Sequence, residues 1–143
     1  MSFLWKRVQV WSGEVPDTAG GVASKLAALA EAGANLEYVF TVRRTDKPGT
    51  GVLFVAPLTG VEQVKAAREA GLHETTDTFV IRVEGDNRLG LAHKLTQAWA
   101  KAGISFQAMS MAVLGEKFVG YAKFDTVGDA NQAAMILADL GQA

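Results

Sequence analysis

Val15-Pro-Asp-Thr-Ala-Gly20-Gly-Val-Ala-Ser-Lys-Leu26 runs on to Ala30-Glu-Ala-Gly33-Ala-Asn-Leu36, and the pattern returns as Asp86-Asn-Arg-Leu-Gly90-Leu-Ala-His-Lys-Leu95, running on to Ala100-Lys-Ala-Gly103-Ile-Ser-Phe106. The glycines set the period: Gly20 to Gly90 and Gly33 to Gly103 are both steps of 70 (90−20 and 103−33). Self-similarity at one fixed period in a chain of 143 residues means two copies of one small domain. Units of about 70 residues bury barely enough surface to stand alone, so each is expected to lean on the other or on a second chain.

Working outward from the first turn, Leu4-Trp-Lys-Arg-Val-Gln-Val-Trp11 alternates apolar and polar residues, the period of a strand with one buried face. Pro16-Asp-Thr-Ala-Gly20-Gly21 is helix-start chemistry. Val22, Leu26, Leu29, Ala30 and Gly33 then fall on one helical face, with Lys25 and Glu31 on the other, and Gly33 suits a left-handed C-terminal cap. Leu36, Tyr38, Phe40 and Val42 alternate with Glu37, Thr41 and Arg43; after the Pro48-Gly49-Thr50-Gly51 turn the apolar run Val52 to Ala56 completes a hairpin. Pro57-Leu-Thr-Gly opens a second helix with Val61, Val64 and Ala67 inward, stopping at Gly71 before a short extended segment, Leu72 to Thr75.

The second copy repeats the order. Phe79 to Glu84 reads as a strand, and Leu91, Leu95, Ala98, Trp99 and Ala102 form a helical stripe. Phe106 to Val113 and Phe118 to Asp125 make a hairpin with a tight Gly115-Glu-Lys turn, and Ala130 to Leu140 makes a helix burying Ala133, Ile136, Leu137 and Leu140. The expected architecture is α+β: two βαββαβ repeats, residues 1–76 and 77–143, each an antiparallel sheet with helices on one face. Only Gly141-Gln-Ala follows the last helix, too little for a closing strand, so the Phe79 to Glu84 strand is left with an open edge. The extended N-terminal segment, a strand of the first copy or a strand of another subunit would cover it. The second hairpin is apolar on both faces, which predicts sheet-on-sheet burial between copies or in a homodimer.

Composition narrows the function. The formal net charge is −1, and Lys6-Arg7 and Arg43-Arg44 are only dipeptides, so no nucleic-acid partner is expected. With no cysteine, disulfides, thiolate nucleophiles and cysteine-ligated zinc are excluded. No apolar run approaches the roughly 18 residues of a membrane span, and the N-terminus does not read as a signal peptide. A cytoplasmic location, no membrane and no cofactor are therefore expected. His73 and His93 have no carboxylates at ligand spacing, and no nucleophile elbow or phosphate-binding glycine loop occurs, so neither a metal site nor an enzyme is expected. Trp5, Trp11 and Trp99 read as core or interface residues.

The glycine turns are the candidate sites. Each follows a strand and opens a helix, so free backbone N–H groups and the positive end of the helix dipole face one space, suited to a carboxylate. Gly20, Gly21 and Gly90 would let a ligand approach the main chain. Asp17, Asp86 and Asn87 could accept hydrogen bonds from an ammonium group, and the Arg88 guanidinium could pair with a carboxylate. A purely structural reading competes: Asp17 caps its helix, Gly20 lets helix and strand pack closely, Arg88 is solvated or pairs with Asp86.

Asp17-x-x-Gly20 with its step to Gly33-Ala-Asn-Leu, and the second occurrence ending Gly103-Ile-Ser-Phe, resemble the signature of ACT domains, and from about Val8 to Leu140 the chain resembles small stand-alone two-ACT proteins. The resemblance implies a ferredoxin-like fold and a regulatory, non-catalytic role, with a free amino acid bound at the repeat or dimer interface near the glycine turns. Carried over by position, it points to Asp17, Thr18, Ala19, Gly20 and Gly21, and to Asn87, Arg88, Leu89 and Gly90. Asn35 and Ser105 would supply contacts from the partner side. It also implies a homodimer and an unidentified regulated protein as partners. The alternative is a structural or protein-interaction module with no small-molecule ligand.

Overall fold

The computed structural model describes residues 3–141. Along them run β1 (Phe3–Val8), β2 (Trp11–Pro16), α1 (Gly21–Glu31), β3 (Tyr38–Arg43), β4 (Thr50–Ala56), α2 (Gly60–Glu69), β5 (His73–Glu74), β6 (Phe79–Asp86), α3 (Leu91–Lys101), β7 (Ala108–Leu114), β8 (Lys117–Phe124) and α4 (Val127–Gly141). The chain is α+β, two ferredoxin-like units each with an antiparallel four-stranded sheet. The period read from the glycines holds in space: α1 at 21–31 and α3 at 91–101 are offset by 70 (91−21 and 101−31).

In the unit formed by residues 9–75 the strand order is β3-β4-β2-β5. Trp11, Val15, Leu53 and Val55 turn the same sheet face toward Leu29 of α1 and Ala67 of α2, and Leu72 closes the cluster. The other unit comprises residues 3–8 and 76–141, with strand order β1-β6-β8-β7. Its core sets Ile81, Val83, Phe118, Ala122 and Phe124 against Leu91, Leu95 and Trp99 of α3 and Ala130, Ala133 and Leu137 of α4. The Trp99 indole stands edge-on to Phe124 at 5.4 Å and donates its N–H to the Ala133 carbonyl at 3.3 Å, so its one polar atom is satisfied where it is buried.

The open edge finds its cover in the N-terminal segment. β1 pairs antiparallel with β6 from Phe3↔Gly85 to Val8↔Val80, and so is the fourth strand of that sheet. Two expectations are corrected by this. Leu4 to Trp11 is two strands, because the chain changes sheets at Gln9–Val10; a period-two pattern persists through such a crossing. The division also differs from 1–76 and 77–143, since residues 3–8 join the later unit.

Smaller corrections follow from where each helix sits. Ala30 and Ala102 are exposed, whereas Lys25, expected outside, is half-buried and donates from Nζ to the Ala70 carbonyl at 2.6 Å. Val61 is 85% exposed, because the first turn of α2 overhangs the core that Val64 and Ala67 meet. α4 starts at Val127, three residues before the expected Ala130, because the Thr126 hydroxyl accepts from the Asp129 N–H at 3.0 Å and caps it. Gly33 and Gly103 end their helices as expected: at φ 85° and 76° they let the next N–H reach back to Leu29 and Trp99, both at 3.0 Å.

Candidate functional site

At the end of β2 the Asp17 N–H donates to the Gly49 carbonyl at 3.0 Å, and at the end of β6 the Asn87 N–H donates to the Glu116 carbonyl at 2.8 Å. Residues 17 and 87 are therefore equivalents, and Asn87 rather than Asp86 is the counterpart of Asp17. Each turn is thus tied to the tip of its unit's hairpin before the helix begins. Gly20 and Gly90 are the N-terminal caps of α1 and α3, at φ 84° and 75°. The Gly21 N–H is taken by the Thr18 carbonyl and the Leu91 N–H by the Arg88 carbonyl, at 3.0 and 3.2 Å. Neither helix has a side-chain cap, so the next amides, of Val22 and Ala23 and of Ala92 and His93, face outward at the positive end of each helix dipole.

The expected capping role of Asp17 is not realised: its carboxylate is drawn to Arg43, with Nε 2.5 Å from Oδ2. The packing role expected for Gly20 is not realised either. A Cβ at Gly20 or Gly90 would meet nothing within 4 Å, so what requires glycine there is the positive φ. Gly21 differs: it is buried, and a Cβ on it would lie 2.2 Å from the Pro16 carbonyl oxygen. It serves close approach of the chain to itself and offers a ligand no access.

In the second turn Asp86 pairs with Lys117, and Arg88 stands 3.9 Å from the same carboxylate. The hydrogen bond from Lys117 and its charge hold the Asp86 carboxyl below the ordinary aspartate range, and Asp86 holds the Lys117 ammonium above its own. Asp86, Asn87 and Arg88 face Gly115 and Glu116 across an open cleft of about 450 Å³. The hairpin tip is thus part of the second site, a contribution that sequence reasoning missed; its signal was the Gly115-Glu-Lys turn. Arg43 was missed likewise.

Thr18, Ala19, Gly20, Asn87, Arg88, Leu89 and Gly90 are exposed, Leu89 fully at 106%. Asn35 and Ser105 are exposed too, but beyond the C-terminal ends of α1 and α3. Helices of 11 residues span about 16 Å, so within one unit neither residue is brought to its glycine turn. Among the described residues no cluster of three His, Asp or Glu side chains could hold a metal, and no helix is long and apolar enough to cross a membrane.

No protein-family model matches the chain, and no curated protein matches it. Solved structures do. A protein of Bacteroides thetaiotaomicron superposes with a TM-score of 0.78 at 13% identity, covering 95% of this chain and 90% of that one. The ligand-free regulatory subunit of aspartate kinase from Thermus thermophilus gives 0.66 at 16% identity, covering 97% and 96%. Escherichia coli aspartokinase III, solved with aspartate and ADP, gives 0.60 at 11% identity, covering 96% of this chain and 32% of that one. At these identities the likeness is one of fold, and the tandem ferredoxin-like fold implied by the ACT resemblance is the fold found.

Proposed function

We propose that this chain is a non-catalytic regulatory module that binds a free amino acid beside its glycine turns. The observation that carries the reading is the pair of uncapped helix starts, each opened by a glycine at positive φ with open space where a Cβ would stand. An α-carboxylate seated there would take the outward amides, Ala92 and His93 in the second turn, and Arg88 would add a charge-assisted bond. Asp17, Thr18, Ala19 and Gly20 would form the corresponding first site, while Asn35 and Ser105 would act from a partner copy in a homodimer. The fold is shared with a regulatory subunit of aspartate kinase, which supports a regulatory role acting on an unidentified protein.

A thermal-shift panel of the twenty amino acids tests the reading. A ligand at a hundred times its Kd stabilises by about 2.7 kcal/mol, roughly 5–10 °C for a chain of this size. No shift with any amino acid would overturn it. An interaction module without a small ligand is the second reading, favoured by the ion pairs that already occupy Asp17 and Asp86 and by Val39, Phe40 and Val42 of β3, each about half exposed. Sedimentation equilibrium checks the homodimer.

A further inference from the structure

On the face of the β1-β6-β8-β7 sheet turned away from its helices, strand register builds a groove that the glycine turns do not include. Leu4, Glu84 and Val119 form one row across β1, β6 and β8, since Leu4 pairs with Glu84 and Glu84 with Val119. Arg82 flanks that row on β6, and Lys117 with its cross-strand partner Leu114 flanks it on the other side. These side chains line a space of about 380 Å³, within the ~300–1,000 Å³ of small-molecule sites. A singly exposed leucine is unremarkable, but Leu4 and Leu114, 67% and 84% exposed, border the same space from opposite edges of the sheet.

The charges are arranged as opposites in pairs. Arg82 Nη1 lies 2.6 Å from Glu84 Oε2 and its Nε donates to the Tyr121 hydroxyl at 3.2 Å, while Lys117 is held by Asp86. A groove with an apolar floor and neighbouring positive and negative groups complements a zwitterion with an apolar side chain. By exchanging its present partner for the ligand's group, Arg82 or Lys117 would take the carboxylate and Glu84, released from Arg82, the ammonium, with the leucines and Val119 on the side chain.

We infer that this groove binds an α-amino acid with an apolar side chain, and that the N-terminal strand completes the site by supplying Leu4. The inference rests on the amino-acid reading proposed above and adds to the second unit's turn a site on the sheet face. β1 is an edge strand of six residues held to the sheet through β6 alone. A ligand bridging Leu4, β6 and β8 therefore stabilises its docking, which couples ligand occupancy to the order of the N-terminus.

The test is calorimetric titration of the full chain with leucine, phenylalanine, aspartate and lysine, repeated on Leu4→Lys and Glu84→Gln, with hydrogen exchange of residues 3–8 with and without ligand. Leucine or phenylalanine is expected to bind, about tenfold or more weaker in either variant, and to slow exchange across β1. Leu4 is exposed, so Leu4→Lys keeps the fold; Glu84→Gln keeps shape and removes only the charge. Apolar amino acids binding both variants as they bind the parent chain would overturn the groove and leave the glycine turns as the site. Binding of aspartate or lysine alone would overturn the ligand class. No binding of leucine or phenylalanine by the parent chain would overturn this inference, whereas the reading it rests on falls only if none of the twenty amino acids shifts the melting temperature.

Discussion

Gly20 and Gly21 are adjacent in the first turn yet serve different ends, and substitution separates them. Gly20→Ala adds a methyl group to open space at φ 84°, and Gly90→Ala does so at 75°, so each is expected to cost about 1 kcal/mol through backbone strain. Gly21→Ala drives a methyl group into the Pro16 carbonyl oxygen and is expected to cost about 2–3 kcal/mol. Urea denaturation of the three variants checks the order; Gly21→Ala no worse than Gly20→Ala would contradict the close approach. Charge is tested by titration. Asp86, held by the hydrogen bond from Lys117, and Asp46, held by that from Arg44, are expected to titrate below the ordinary aspartate value of 3.8. Their folded values are depressed, so the stability they contribute is present above the ordinary carboxylate range and is lost as pH falls through the lowered values. Carboxyl ¹³C shifts read this directly, and Lys117→Met should return Asp86 toward 3.8.

β1 is the element whose removal is most informative. Only Phe3 of its residues is buried, edge-on to Phe118 at 6.0 Å, while the ladder to β6 and the bond that Arg7 Nη1 donates to Asn131 Oδ1 of α4 at 2.8 Å add to its hold. Phe3→Ala is expected to cost about 3 kcal/mol. Deleting residues 1–8 should uncover the β6 edge, lowering hydrogen-exchange protection in β6 and β8 and promoting aggregation through the unpaired strand. Unchanged protection there would show that β1 does not close the sheet. At the helix ends, Gly33 and Gly103 are predictable from sequence because positive φ leaves few alternatives to glycine. The Thr126 cap was equally local in the sequence but lay outside the apolar pattern used to place α4, so the start of that helix was read three residues late.

Among the described residues two hydrophobic clusters share no residue. Leu29→Ala and Leu95→Ala, both at fully buried positions, are each expected to cost about 3 kcal/mol, with the loss of hydrogen-exchange protection largest in the unit that carries the change. Equal loss in both units from either variant would show one cooperative core instead. The duplication, the βαββαβ order and the glycine turns were legible in the sequence because each is a local rule: a glycine at positive φ, an alternation of two, a stripe near 3.6. Lys25, Val61 and the carboxylate of Asp17 were misread because burial and ion pairing depend on residues distant in sequence, Ala70, the edge of a core, and Arg43. The sequence by itself determined that there are two copies and the order of helices and hairpins within them. Only the tertiary structure decided that residues 3–8 complete the later copy, because an open strand edge is satisfied by whichever strand lies beside it in space, and periodicity along a chain carries no record of that neighbour.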